Sequence, residues 1–99
     1  MELDIKKQLE ELIKEQRERI PRLKENDSPY CPYSYEEEDD RAYTKWIENT
    51  KRFLNIHFRN DKFIEQFENL EKGVYVLTPK IQQKLLAILE AFLNHPTII

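Results

Sequence analysis

Residues 42–58 read Ala-Tyr-Thr-Lys-Trp-Ile-Glu-Asn-Thr-Lys-Arg-Phe-Leu-Asn-Ile-His-Phe, and this stretch decides the fold. Its apolar residues recur every third or fourth position, which is the period of an α-helix with one buried face. That face is predicted to hold Ala42, Tyr43, Trp46, Ile47, Thr50, Phe53, Leu54, His57 and Phe58. A face this broad must touch two or more neighbours, so the sequence predicts a central helix within a bundle.

The rest of the chain supplies those neighbours. Helical periodicity extends the central helix to about residues 36–58 and predicts other helices over about 2–23, 61–71 and 79–94. The whole chain, residues 1–99, is long enough for one domain with one core. We therefore predict an all-α fold, a compact four-helix bundle-like domain with a long central helix 2.

Proline and capping residues predict where the helices begin and end. Pro21 is expected to kink or end the first helix near Ile20, and Pro96 is expected to stop the fourth. Thr78-Pro79 is a strong helix start, with threonine as the N-cap and proline at the first helical position. Val74 to Leu77 are β-prone but have no partner strand, so they predict an extended connector that packs against the core.

The first helix carries an apolar seam at positions 5, 9, 12, 16, 20 and 23, interrupted by Gln16. Such a seam suits either a coiled coil between chains or a contact within the chain. Because the central helix needs covering, we predict that the first helix packs within the molecule.

Residues 26–35, Asn-Asp-Ser-Pro-Tyr-Cys-Pro-Tyr-Ser-Tyr, form the clearest loop, because two prolines forbid helix and the polar residues favour turns. Two interpretations of its tyrosines stay open. Their rings cover the edge of the core, or they form a recognition loop whose contact residues are Tyr30, Tyr33 and Tyr35.

Composition excludes several function classes. The net charge of −3 argues against binding to nucleic acid or to an anionic membrane surface, and no apolar run approaches a membrane span. The single cysteine, Cys31, and the lack of a signal peptide predict a cytoplasmic location.

One glycine cannot form a phosphate-binding loop, and one cysteine with two histidines is too few for zinc. We expect neither cofactor nor metal, and interpret the acidic run 36–40 as a helix cap.

Arg52 and His57 form an Arg-x4-His pattern that resembles the ribonuclease motif of the HEPN superfamily, whose members are helical bundles. The resemblance implies that the two residues act together on a phosphodiester without a metal. On an ideal helix they lie about 140° apart, with His57 within the apolar face and Arg52 on the polar face. This separation argues against catalysis, and the nuclease remains the alternative hypothesis.

A basic stripe, Arg41, Lys45, Arg52 and Arg59, is predicted on the same helix opposite Trp46. Helical spacing places these four side chains within about 40° of one another. The stripe is either a solvated face or a surface that meets an acidic protein or a phosphate backbone.

The pattern Tyr43-x2-Trp46-x6-Phe53-Leu54-x3-Phe58, followed by Asn60-Asp61 and Phe67, resembles a small helical module. That module stands at the front of multidomain bacterial antiphage and abortive-infection proteins, ahead of an effector domain. The resemblance implies a non-catalytic interaction or regulatory domain that contacts a protein partner or a covalently linked effector. A small partner protein of the toxin–antitoxin type is a further alternative. The sequence does not determine the oligomeric state.

Overall fold

The computed structural model describes residues 2–94. It contains four α-helices and one 3₁₀ turn, which are α1 (Leu3–Arg19), the 3₁₀ turn (Ile20–Arg22), α2 (Glu37–His57), α3 (Lys62–Glu71) and α4 (Pro79–Asn94). Both α1 and α3 pack against α2 and α4, so the four helices close a ring around one core. The predicted all-α four-helix architecture is confirmed, and α1 packs within the molecule as predicted.

The helix boundaries follow from local chemistry. The α-helical part of α1 ends at Arg19, and Pro21 lies in the 3₁₀ turn that follows. At α4, the Oγ1 atom of Thr78 accepts a hydrogen bond from the backbone N–H of Ile81 at 3.4 Å. Between α2 and α3, Asn60 has a φ of 64°, a left-handed conformation that asparagine tolerates. The side chain of Asp61 then caps α3 by accepting from the N–H of Phe63.

Trp46 lies at the centre of the core and is 1% exposed. Its indole Nε1–H donates to the backbone carbonyl of Leu12 on α1 at 2.8 Å. Its ring stacks on Tyr43 and contacts Phe67 of α3, with centroid distances of 6.0 and 6.1 Å. One side chain of α2 therefore contacts both helices that flank it.

Two short strands were not predicted. Lys24–Glu25 (β1) and Tyr33–Ser34 (β2) pair as an antiparallel ribbon, with Lys24 opposite Ser34 and Glu25 opposite Tyr33. The ribbon closes the base of the loop that the sequence predicts. Its strands are only two residues long, so no period-2 pattern could reveal them.

The extended connector predicted over Val74–Leu77 is wrong. The segment forms consecutive turns, in which the N–H of Val76 bonds to the carbonyl of Gly73 and the N–H of Thr78 to that of Tyr75. Local turn hydrogen bonds replace the ladder that a strand would need. Only Val76 and Leu77 pack against the core, whereas the other two side chains are exposed.

The predicted burial of His57 is also wrong, because its side chain is exposed. It is the last residue of α2, and one side of its ring packs on Phe53 at a centroid distance of 4.7 Å. The other side opens onto a surface groove.

Within residues 2–94, no helix is both long enough and apolar enough to cross a membrane. The stop predicted at Pro96 lies outside the described residues.

Candidate interaction surfaces

The loop of residues 26–35 is cross-linked by hydrogen bonds from its own polar side chains. The Asn26 side chain donates to the carbonyl of Cys31 and to the hydroxyl of Ser34, at 3.1 and 3.0 Å. The hydroxyl of Ser28 accepts from the backbone N–H groups of Tyr30 and Cys31. These bonds, together with the ribbon at its base, project the Tyr30 ring into solvent, where it is 88% exposed.

The turn segment 73–78 lies beside this loop. Val74 and Tyr75 are 84% and 57% exposed, and together with Tyr30 they line a cavity of about 90 Å³. Pro32 and Tyr33 contribute to the loop side of the same cavity. We call Tyr30, Val74 and Tyr75 the loop–turn patch. The cavity has about the volume of one aliphatic side chain, and aromatic rings stand at its edge.

A buried polar network lies beneath the patch and joins its two segments. The Gln82 amide nitrogen donates to the hydroxyl of Tyr43 at 3.1 Å and to the carbonyl of Val76, in the turn, at 2.8 Å. The Gln82 amide oxygen accepts from the hydroxyl of Tyr35, in the loop, at 3.2 Å and from the amide of Gln16. Gln16 and Gln82 are fully buried.

Gln16 carries the network into α1. Its amide also donates to the hydroxyl of Tyr35 at 3.0 Å, and its oxygen accepts from the buried guanidinium of Arg19. That guanidinium pairs with Glu15. Of the three predicted loop contacts, Tyr35 is therefore a core residue, Tyr33 is half-buried and Tyr30 is exposed.

Because the hydroxyls of Tyr35 and Tyr43 are buried in this network, we expect the domain to lose stability at alkaline pH. Burial raises the pKa of Tyr35 and of Tyr43 to about 12, whereas tyrosines of the unfolded chain ionise near pH 10. Between about pH 10 and 12 the unfolded state releases protons that the folded state keeps, so the free energy of unfolding should fall as pH rises. The contribution of the two protonated hydroxyls to the free energy of unfolding is complete below about pH 10 and is lost by about pH 12.

Urea midpoints measured at steps from pH 8 upward test this. A Tyr35→Phe/Tyr43→Phe variant lacks both ionisations and should show a shallower decline over the alkaline window. Equal slopes for the two proteins would contradict the assignment of the alkaline transition to these hydroxyls.

Three of the four residues of the predicted basic stripe lie on α2. Arg41, Lys45 and Arg52 are exposed on α2, and Arg41 lies 3.7 Å from Glu37. Arg59 follows the end of α2 and does not belong to its helical face. Within residues 2–94, Lys45 and Arg52 form no ion pair.

Arg52 and His57 both line one groove of about 390 Å³ between α1 and α2. The sequence predicts Arg52 on the polar face and His57 on the apolar face of the helix, and the structure shows that both residues line this one groove. The opposite wall is built by α1 and carries the carboxylates of Glu11 and Glu15. Phe53 and the 62%-exposed Ile56 add apolar surface to the α2 side.

The acidic residues at the start of α2 form ion pairs. Asp39 accepts two hydrogen bonds from the Arg22 guanidinium at 2.8 and 3.0 Å, and Glu36 pairs with Lys24. These pairs attach the segment after α1 to the first turn of α2. Among the described residues, no group of three or more metal-ligating side chains comes together.

The sequence did not predict the buried network. The only signal was the interruption of the α1 seam by Gln16, a polar residue at a position whose neighbours are buried.

No protein-family model matches the chain, and no curated protein or solved structure is significantly similar to it.

Proposed function

We propose that this chain is a non-catalytic interaction domain that binds a protein partner or an effector domain through the loop–turn patch. The supporting observation is the concentration of exposed apolar surface on Tyr30, Val74 and Tyr75 around one small cavity. Apolar residues scattered singly over a surface are ordinary, but several around a pocket are typical of binding sites.

The shape of the patch suggests how a partner docks. A cavity of about 90 Å³ accepts a single aliphatic side chain, and the tyrosine rings close around it. Tyrosine adds large contact area with few rotatable bonds, which keeps the entropy cost of binding low. The network beneath joins loop to turn, so the two sides of the cavity do not have to be ordered when the partner arrives.

The resemblance to the front module of antiphage proteins supplies the proposed setting. In that setting the domain acts in bacterial defence and contacts an effector carried on the same chain or on a neighbouring one. The patch is the contact surface.

A phage-challenge assay tests this proposal in a bacterium that carries the natural locus. The Tyr30→Ser/Val74→Ser/Tyr75→Ser variant should reduce protection at least tenfold in plaque counts, at an unchanged protein level and melting temperature. A Gln83→Ala/Lys84→Ala variant, altered at exposed α4 positions, should protect like the wild type. Full protection by the triple variant would refute the patch as the contact, and a wild-type locus that gives no protection would refute the setting.

The ribonuclease remains a second candidate, because Arg52 and His57 line the same groove. Its acidic α1 wall counts against it, since Glu11 and Glu15 would repel RNA phosphates. Because His57 is exposed, His57→Ala should leave stability nearly unchanged and isolate any catalytic role. If the wild-type protein cleaves single-stranded RNA and His57→Ala abolishes that cleavage, the ribonuclease replaces the interaction domain.

A further inference from the structure

The groove between α1 and α2 is a second recognition surface, separate from the loop–turn patch. It runs along Gln8 to Glu15 on α1 and along Asn49 to His57 on α2. At 1.5 Å per residue these stretches are about 10–12 Å long, or two helical turns. Arg22 after α1 bonds to Asp39 at the start of α2, and Leu12 earlier on α1 bonds to Trp46 further along α2, so the two helices run antiparallel.

The floor of the groove is apolar. Leu12, Phe53 and Ile56 line it. Phe53 is buried, Leu12 is partly buried, and Ile56 has 62% of its surface exposed. A partner that covers Ile56 removes this exposed apolar surface from water, which favours binding. Ile56 lies on the outer side of α2, and packing within the bundle does not use it.

The two walls carry opposite charges. Glu11 and Glu15 line the α1 side, and Arg52 with His57 line the α2 side. Glu15 is also paired with Arg19, but its side chain remains 47% exposed and reachable from the groove. A polyanion would match one wall and be repelled by the other, whereas a ligand with one basic and one acidic edge matches both.

We propose that this groove binds an amphipathic helix of a partner protein, with an apolar seam flanked by lysine or arginine on one edge and by aspartate or glutamate on the other. Apolar residues spaced i, i+4 and i+7 span two turns and contact Leu12, Phe53 and Ile56. The basic edge faces Glu11 and Glu15, and the acidic edge faces Arg52. The inference rests on the proposed interaction function and names the chemistry of a partner element.

Synthetic helical peptides of about two heptads test the proposal by fluorescence anisotropy at low salt. One peptide carries a basic and an acidic flank, a second carries two basic flanks, and a third carries two acidic flanks. A helix can lie in the groove in either direction, so exchanging the flanks of the first peptide would be no control. The mixed peptide should bind wild-type protein most tightly.

Charge reversal in the protein should redirect the preference. Glu11→Lys should weaken the mixed peptide about fivefold and strengthen the peptide with two acidic flanks. Arg52→Glu should also weaken the mixed peptide about fivefold, and it should strengthen the peptide with two basic flanks. Ile56→Ser should weaken all three peptides about tenfold, whereas the matched control Leu3→Ser, exposed outside the groove, should change none of them.

Three results of the binding assays would overturn the proposal. These are no binding of the mixed peptide, binding unaffected by Ile56→Ser, or tighter binding of a single-stranded RNA of twelve nucleotides that is lost with Arg52→Glu. Self-association that Ile56→Ser abolishes would instead assign the groove to a second copy of this chain. The Tyr30→Ser/Val74→Ser/Tyr75→Ser variant should bind the peptides like the wild type, so failure of the patch and failure of the groove are distinguishable.

Discussion

Trp46→Ala should destabilise the domain by about 3–5 kcal/mol, the range for truncating a large buried aromatic side chain. The substitution leaves a cavity bounded by α1, α2 and α3 and removes the hydrogen bond from the indole to the Leu12 carbonyl. A domain of this size has a total stability of roughly 5–15 kcal/mol, so a large part of the folding free energy is lost. Urea unfolding followed by circular dichroism measures the change without needing tryptophan fluorescence.

Trp46→Phe separates packing from hydrogen bonding and keeps the test informative if the alanine variant does not fold. It retains a ring beside Tyr43 and Phe67 but has no N–H, so we expect a smaller loss of about 1–3 kcal/mol. Tyr30→Ala, which truncates an aromatic side chain that is 88% exposed, is the matched control and should change stability by less than about 0.5 kcal/mol. Equal urea midpoints for Trp46→Ala and wild type would contradict the core position of Trp46.

The helices were predictable because their boundaries depend on nearby residues. Thr78-Pro79 starts α4, Pro21 lies just beyond the end of α1, and Asp61 caps α3. Each of these signals acts within one or two turns of the chain. Periodicity correctly placed Trp46 in the core for the same reason, since the period of a helix is a local property.

The candidate surfaces were less predictable because they depend on contacts between distant residues. Helical spacing placed His57 within the apolar face, but the position ends α2 at the open side of a groove that α1 forms. Residues 74–77 have strand propensity, yet tertiary context folds them into turns next to a loop more than forty residues earlier. The partner of Gln16 is Gln82, 66 residues away, and no local pattern could pair them.

Gln82→Leu should destabilise the domain by about 2–4 kcal/mol although leucine has a similar volume and is apolar. The substitution removes all four hydrogen bonds of the amide. It leaves polar groups of four residues without this partner, namely Gln16, Tyr35, Tyr43 and Val76. An unsatisfied buried group costs about 1–3 kcal/mol, which outweighs the gain from a more apolar side chain. Gln83→Leu, at the exposed neighbouring position, should be nearly neutral and controls for helix propensity.

A double-mutant cycle shows whether the loss comes from the network. Gln16→Leu and Gln82→Leu each leave the other amide without its partner, but together they remove both groups. Their combined cost should therefore be smaller than the sum by about 1–2 kcal/mol. Additive costs would mean that the two amides act independently.

The same substitution tests whether the network holds the loop–turn patch in place. Gln82 bonds to the carbonyl of Val76, so Gln82→Leu should speed hydrogen exchange at the amides of residues 74–78 beyond any change in global stability. The amides of α3 serve as the internal reference for the change in global stability. Faster exchange confined to the turn, with weaker protection in the phage assay, would link the buried glutamine to binding. If hydrogen exchange at residues 74–78 is unchanged, the network instead serves to select one packing of α1 against α4.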